Sequence, residues 1–117
     1  MLDKSNKVVI CGGCGFIGGH LVGDLLKKGF KTVRCVDVKP KDQWYQVHPA
    51  AENIVADLNL RDAAFAATKG MDVIINLACN MGGMGFIENN KGLCMISVLI
   101  NTHLLMGAKE HGCKRFF

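Results

Sequence analysis

The sequence has 117 residues, the size of one small domain, and half of them are apolar, which excludes a disordered segment. Its formal charge of +4 comes from scattered lysines and arginines and not from a basic stripe, so we expect no nucleic-acid partner. The N-terminal residues are too charged for a signal peptide, and no apolar run approaches the ~20 residues of a membrane span. We therefore expect a cytoplasmic protein without membrane contact, whose six cysteines are reduced thiols.

The first half of the chain alternates between predicted strands and helices. The β-branched run 7–11 predicts a first strand, and apolar residues at helical spacing predict a following helix that ends at Gly29. Residues 31–38 predict a second strand. The polar stretch 39–52 contains both prolines and predicts a loop or a broken helix. Residues 53–58 predict a third strand.

The second half continues the alternation. Residues 60–70 predict a short helix, and the continuous apolar run 71–79 predicts a strand that is buried on both faces. A glycine-rich loop over 80–90 precedes a long predicted helix over 91–111, and 113–117 is typical of the opening of a fifth strand. This order favours an α/β fold in which right-handed crossovers connect the strands of a parallel sheet.

The long predicted helix carries two apolar stripes. One stripe contains Leu93, Ile96, Ile100, Leu104 and Ala108, and the other contains Met95, Leu99, Thr102 and Met106. A helix that is apolar on two sides is expected to be buried on two sides. One stripe can face the sheet. Either a partner helix or further C-terminal structure would cover the other.

The segment CGGCGFIGG joins the first strand to the first helix, which is the context in which a Gly-x-x-Gly-x-x-Gly pattern indicates dinucleotide binding. Gly12 would allow the tight turn after the strand, Gly15 would let a pyrophosphate approach the backbone, and Gly18 would let the helix pack closely. The N–H groups near Phe16 and Ile17 would point at the anion from the helix N-terminus.

An acidic residue follows at the spacing that a dinucleotide site requires. Asp37 ends the second predicted strand, 19 residues after Gly18. A carboxylate there accepts hydrogen bonds from the ribose hydroxyls and repels a 2′-phosphate, so the expected cofactor is NAD and not NADP. Lys39 weakens this preference, and the alternative is that Asp37 is a solvated acid at a strand end.

The same segment also contains the pair Cys11 and Cys14, at the spacing of a zinc or redox motif. Zinc requires about four ligands, and the sequence has no second cysteine pair and no closely spaced histidine pair. A redox pair would not require three glycines at steps of three. We therefore expect no metal site, and we expect Cys11 to be a core residue.

With these residues in place, VVICGGCGFIGGHLV resembles the opening of the extended short-chain dehydrogenase/reductases. The resemblance implies a Rossmann-type doubly wound parallel sheet, of which residues 1–117 would be the NAD-binding N-terminal part, truncated at the start of strand 5. It also implies that Asp57 and Leu58 contact adenine, and that Leu77 and Ala78 lie along the cofactor at the end of strand 4.

The segment NMGGMGFIENN, residues 80–90, is more specific. It resembles a stretch of the GDP-mannose 3,5-epimerase family that lines the nucleotide-sugar pocket, which assigns substrate binding to Gly82, Gly83 and Met84. The resemblance implies an NAD-dependent nucleotide-sugar epimerase or dehydratase that oxidises its sugar transiently and then reduces it again. The same resemblance makes a GDP-sugar the expected substrate. The second apolar stripe of the predicted helix 91–111 predicts a homodimer through that helix.

The catalytic part of such an enzyme is not found in this sequence. The family's Tyr-x-x-x-Lys motif has no counterpart, because the single tyrosine, Tyr45, is followed four residues later by Pro49. We therefore expect no catalytic residue in this chain, and we expect it to be inactive alone. The alternative is a stand-alone, catalytically silent dinucleotide-binding or dimerisation module.

Overall fold

The computed structural model describes residues 4–78 and 91–117, and it describes side chains from 99 onwards in the second range. The strands are β1 (Val8–Cys11), β2 (Val33–Asp37), β3 (Glu52–Val55), β4 (Val73–Asn76) and β5 (Arg115–Phe116). The helices are α1 (Phe16–Lys27), α2 (Arg61–Thr68) and α3 (Lys91–His111), with one 3₁₀ turn (Lys41–Gln43). The predicted loop 80–90 lies outside the described residues.

The five strands form one parallel sheet in the order β3-β2-β1-β4-β5. Strand β1 lies in the centre, and all four of its residues are buried. Because side chains alternate across a strand, Val9 and Cys11 face the core that α2 and α3 cover, whereas Val8 and Ile10 face the core that α1 covers. The predicted Rossmann-type sheet with helices on both faces is confirmed.

The third and fourth strands were predicted too long at their carboxyl ends. The third strand, predicted over 53–58, ends at Val55 because the Asp57 side chain accepts the N–H of Asn59 and turns the chain away from the sheet. The fourth strand, predicted over 71–79, ends at Asn76, whose side chain accepts the N–H of Ala78. These two turns place the following residues above the edge of the sheet.

One of the two predicted stripes of α3 is buried over the part whose side chains are described, and the other is exposed. Ile100, Leu104 and Ala108 are buried against α2 and the sheet. Leu99 and Met106 belong to the other stripe, and their side chains are exposed. No helix within the described residues is long and apolar enough to cross a membrane.

Arg34 connects strand β2 to the carboxyl end of α2. Its Nη1 donates hydrogen bonds to the carbonyl oxygens of Ala67, at 2.8 Å, and Lys69, at 3.0 Å. Its Nε also forms an ion pair with Glu52, at 2.9 Å. The carbonyl groups at a helix end have no partner within the helix, so a cation that bonds them stabilises that end.

We expect Arg34→Met to lower the free energy of unfolding by about 1–2 kcal/mol, because the carbonyl groups at the end of α2 lose a charged donor. The matched control is Glu52→Gln, which removes only the ion pair; the Glu52 side chain is 53% exposed, so its contribution is expected to be small. Urea denaturation of both variants measures the difference. Equal destabilisation by the two substitutions would contradict the assignment to the helix end.

Candidate cofactor site

A cavity of about 260 Å³ opens at the carboxyl edge of the sheet. It lies beside the loop after β1, where the strand order reverses between β1 and β4. Parallel α/β sheets bind ligands at such a reversal point. Seven of the residues that the sequence assigns to the cofactor line this cavity: Gly12, Gly15, Asp37, Asp57, Leu58, Leu77 and Ala78.

The three glycines of the Gly-x-x-Gly-x-x-Gly pattern have different surroundings. Gly12 has a φ of +81°, and a Cβ there would lie 2.5 Å from the backbone nitrogen of Ala78. A Cβ on Gly18 would lie 2.6 Å from the Cα of Gly13, so this glycine lets α1 approach the loop. A Cβ on Gly15 would meet nothing within 4 Å. Of these three glycines, Gly12 and Gly18 are therefore required by the fold of the chain itself, and Gly15 is not.

The first turn of α1 supplies backbone N–H groups next to the cavity. Gly15 is the N-cap and provides no side-chain hydrogen bond, and no acidic residue lies in the first turn. The N–H groups of such a turn have no acceptor within the helix and favour an anion. Phe16 and Ile17 are 62% and 70% exposed and are not among the residues that line the cavity, so the contact predicted for them is through their backbone N–H groups.

Asp37 is buried, only 8% exposed, and connects the end of β2 to the glycine loop. Its Oδ2 accepts the N–H of Cys14 at 3.2 Å, and its Oδ1 accepts those of Val38 at 2.7 Å and Lys39 at 3.2 Å. The residue is therefore not a solvated acid at a strand end. These bonds hold the carboxylate rigidly at the cavity wall.

Comparison with known proteins agrees with this arrangement. The profile of the NAD dependent epimerase/dehydratase family matches residues 8–117. The chain belongs to this family. The family's cofactor is NAD, and the predicted resemblance to the extended short-chain dehydrogenase/reductases is confirmed.

Two similar relatives are plant enzymes. GDP-mannose 3,5-epimerase 1 of Oryza sativa subsp. japonica is 34% identical over 112 residues, which cover 95% of this chain and 29% of the rice protein. GDP-mannose 3,5-epimerase of Arabidopsis thaliana is 32% identical over 116 residues, which cover 98% of this chain and 30% of that protein. The chain thus spans less than a third of the length of these relatives.

Solved structures support the fold. Pen from Bacillus thuringiensis superposes with a TM-score of 0.85 at 20% identity, covering 99% of this chain and 38% of that protein. WbmH of Bordetella bronchiseptica, solved in complex with NAD⁺, superposes with a TM-score of 0.77 at 20% identity, covering 96% of this chain and 38% of that protein.

The residues along the cavity could hold the parts of NAD in order along the sheet edge. The carboxylates of Asp37 and Asp57 lie at the ends of β2 and β3, where hydroxyl and amine donors of an adenosine would find acceptors. The open space above Gly15 and the first turn of α1 follow, and they suit a pyrophosphate. Leu77 and Ala78 continue the wall beyond β1.

The cysteine pair does not have the properties of a reactive thiol site. Burial, followed by the hydrogen bond to the Asp37 carboxylate, raises the pKa of the Cys14 thiol to about 11. Burial raises the pKa of Cys11 to about 12. Both groups are therefore protonated near neutral pH, whereas redox exchange and metal binding use the thiolate. Cys11 is a core residue, as predicted.

Sequence reasoning missed several residues of the cavity wall. Cys14, Val38 and Lys39 adjoin predicted residues along the chain, so their positions could have been inferred from the neighbours. Asn59 follows the predicted pair at 57–58, and its Nδ2 donates to Asp57 Oδ1 at 3.0 Å. Ile100 lies on α3, and no local signal in the sequence indicated that it lines the cavity. The predicted substrate residues, Gly82, Gly83 and Met84, lie outside the described residues.

Proposed function

We propose that this chain is the NAD-binding part of a nucleotide-sugar epimerase or dehydratase. The observation that carries the proposal is the convergence of seven sequence-predicted residues on one cavity, whose floor includes a glycine that the fold itself does not require. In this proposal Asp57 and Leu58 bind adenine, and Asp37 binds the ribose hydroxyls. Gly12, Gly15, Gly18 and the N–H groups of Phe16 and Ile17 hold the pyrophosphate.

The remaining part of the proposal concerns the reacting half of the cofactor. Leu77 and Ala78 would lie along it, since they line the cavity beyond β1. NAD supplies the hydride acceptor when it is bound. The residues of this chain bind and orient it, and the 117 residues contain no Tyr-x-x-x-Lys motif that would move the substrate proton.

The substrate is proposed to be a nucleotide sugar, and a GDP-sugar is the specific candidate. The support is the similarity to the plant GDP-mannose 3,5-epimerases and the segment NMGGMGFI, whose resemblance to that family implies that Gly82, Gly83 and Met84 bind the substrate. The preference for NAD over NADP follows from Asp37, because its carboxylate would repel a 2′-phosphate. A cytoplasmic location is part of the same proposal.

A homodimer is a further part of the proposal, and the exposed apolar stripe of α3 supports it. Leu99 and Met106 of this stripe are each more than two fifths exposed, and so is Leu105 on the same helix. A second copy of the chain would bury them. Sedimentation equilibrium distinguishes this arrangement from a monomer. A dimer without NAD binding would favour the alternative that the chain is a dimerisation module.

Thermal unfolding with and without NAD tests the proposed function. A ligand at 100 times its Kd stabilises the native state by about 2.7 kcal/mol, so we expect the Tm to rise by roughly 10 °C or more. NADP at the same concentration is expected to produce a smaller rise. No change of Tm at millimolar NAD would contradict cofactor binding by this chain.

A further inference from the structure

Two asparagine side chains connect the long helix α3 to the carboxyl end of β4. Asn76 Oδ1 accepts the backbone N–H of Ala78 at 3.0 Å, and Asn76 Nδ2 donates to Asn101 Oδ1 at 3.1 Å. A backbone N–H can only donate, so the atom of Asn76 that faces Ala78 must be the oxygen. The nitrogen of Asn76 therefore faces Asn101, which must present its own oxygen. The network itself fixes both amide orientations.

The backbone of Ala78 lies directly against the first glycine of the loop. A Cβ on Gly12 would be 2.5 Å from the Ala78 nitrogen and 2.6 Å from the Leu77 carbonyl carbon. Gly12 is held from its other side, because its N–H donates to the Val36 carbonyl at 2.7 Å. The turn at Gly12 is thus confined between the ends of β2 and β4. A movement of Ala78 would change the position of this turn.

The backbone of Asn76 is fixed independently of its side chain. Its N–H donates to the Phe117 carbonyl at 2.8 Å, and the next residue, Leu77, donates to the Cys11 carbonyl at 2.7 Å. The strand up to residue 77 is therefore held by its neighbours in the sheet. Ala78 is the first residue beyond them, and the Asn76 side chain holds it. Asn101 holds that side chain in turn.

We infer that Asn101 is a positioning residue for the cofactor site, acting through the Asn76 amide on Ala78 and thereby on the Gly12 turn. The inference rests on the proposed function and adds a residue of α3 that no glycine motif or acidic motif indicates. Asn101 does not line the cavity, although its neighbour Ile100 does. Its effect is expected on the pyrophosphate and the part of NAD beyond it, and not on the adenosine end at Asp37 and Asp57.

Titration calorimetry of three variants of the full chain with NAD and with AMP tests this inference. Asn101→Leu has a similar shape and removes the acceptor, so we expect NAD affinity to fall about fivefold, the effect of one lost hydrogen bond. AMP affinity is expected to fall less than NAD affinity, because AMP carries the adenosine end and only one of the two phosphates. Asn101→Asp keeps an oxygen that accepts from Asn76 Nδ2, so this variant is expected to retain most of the wild-type NAD affinity. Lys109→Ala, an exposed position on the same helix, is the control and is expected to bind both ligands as the wild type does.

Amide hydrogen exchange provides the second readout. The Ala78 N–H is expected to exchange faster in Asn101→Leu than in the wild type or in Lys109→Ala, because its acceptor is no longer held in place.

If Asn101→Leu does not fold, Asn101→Ala removes the same acceptor without filling its place. The inference would be overturned if the variant that lacks the acceptor bound NAD as tightly as the wild type. It would also be overturned if the affinities for NAD and for AMP fell by the same factor. Absence of NAD binding by the wild type would instead contradict the proposed function.

Discussion

The Gly15→Asp variant is expected to keep the stability of the wild-type chain, or to gain a few tenths of a kcal/mol, and to lose NAD binding. Gly15 is the N-cap of α1, with a φ of −79° that any residue can adopt, and a Cβ there would meet nothing within 4 Å. Aspartate is a favoured N-cap residue because its carboxylate accepts N–H groups of the first turn. The same carboxylate would occupy the place proposed for the pyrophosphate and repel it. We expect NAD affinity to fall by more than about 2 kcal/mol, the scale of a close like-charge contact.

Two further substitutions serve as controls for this prediction. Gly15→Asn has the same shape and cap preference without the charge, so it should weaken NAD binding less than Gly15→Asp does. Gly12→Ala is the structural contrast, because Gly12 has a φ of +81° and its Cβ would contact the Ala78 backbone; this variant should unfold at a lower temperature. Thermal unfolding and calorimetry separate the two effects. Unchanged NAD affinity in Gly15→Asp would contradict the proposed pyrophosphate site.

The Asp37→Ala variant is expected to bind NAD more weakly by about 1–3 kcal/mol, because the ribose hydroxyls lose a charged acceptor. The same substitution leaves the N–H groups of Cys14 and Val38 without their acceptor, so some loss of stability should accompany it. Asp37→Asn separates the two effects, since it keeps one oxygen and the shape of the side chain. We expect Asp37→Asn to lower the ratio of NAD affinity to NADP affinity, because the charge that would repel a 2′-phosphate is removed.

Calorimetric titration of both Asp37 variants with NAD and NADP measures this effect. A folded Asp37→Ala variant with wild-type NAD affinity would show that the carboxylate only accepts backbone N–H groups of the chain and does not bind the cofactor. An Asp37→Asn variant with an unchanged cofactor preference would indicate that another group selects against the phosphate. Lys39 is the neighbouring cation at the cavity wall and would partly offset the repulsion.

The sequence predicted the parts of this site that depend on local spacing. Gly12 and Gly15 follow a strand and precede a helix, and Asp37 ends the next strand, so their meeting at one cavity follows from parallel strand order alone. Asp57 and Leu58 could not be found in this way. Their assignment depended on resemblance to a family, and the structure then placed them at the same cavity.

Contacts between distant elements were not predictable. Ile100 reaches the cavity, and Asn101 bonds Asn76, because α3 packs across β4. The apolar stripe predicted that Ile100 faces the sheet, but no local pattern indicated its place at the cavity or the partner of Asn101. The predicted carboxyl ends of the third and fourth strands were also wrong, because apolar residues continue in the sequence beyond the last residue of each strand. At both Asp57 and Asn76 a side chain bonds the backbone two residues later and ends the strand, an effect that periodicity does not register.

An NMR titration of the ¹⁵N-labelled chain with NAD tests the central claim most directly. We expect the amide signals of Gly12, Gly15, Phe16, Ile17, Asp37 and Ala78 to shift together with one saturation curve. Signals at the far end of α3, around Lys109 and His111, should remain in place. The absence of any shift at millimolar NAD, or shifts centred between α2 and the end of α3, would contradict an NAD site at the glycine loop.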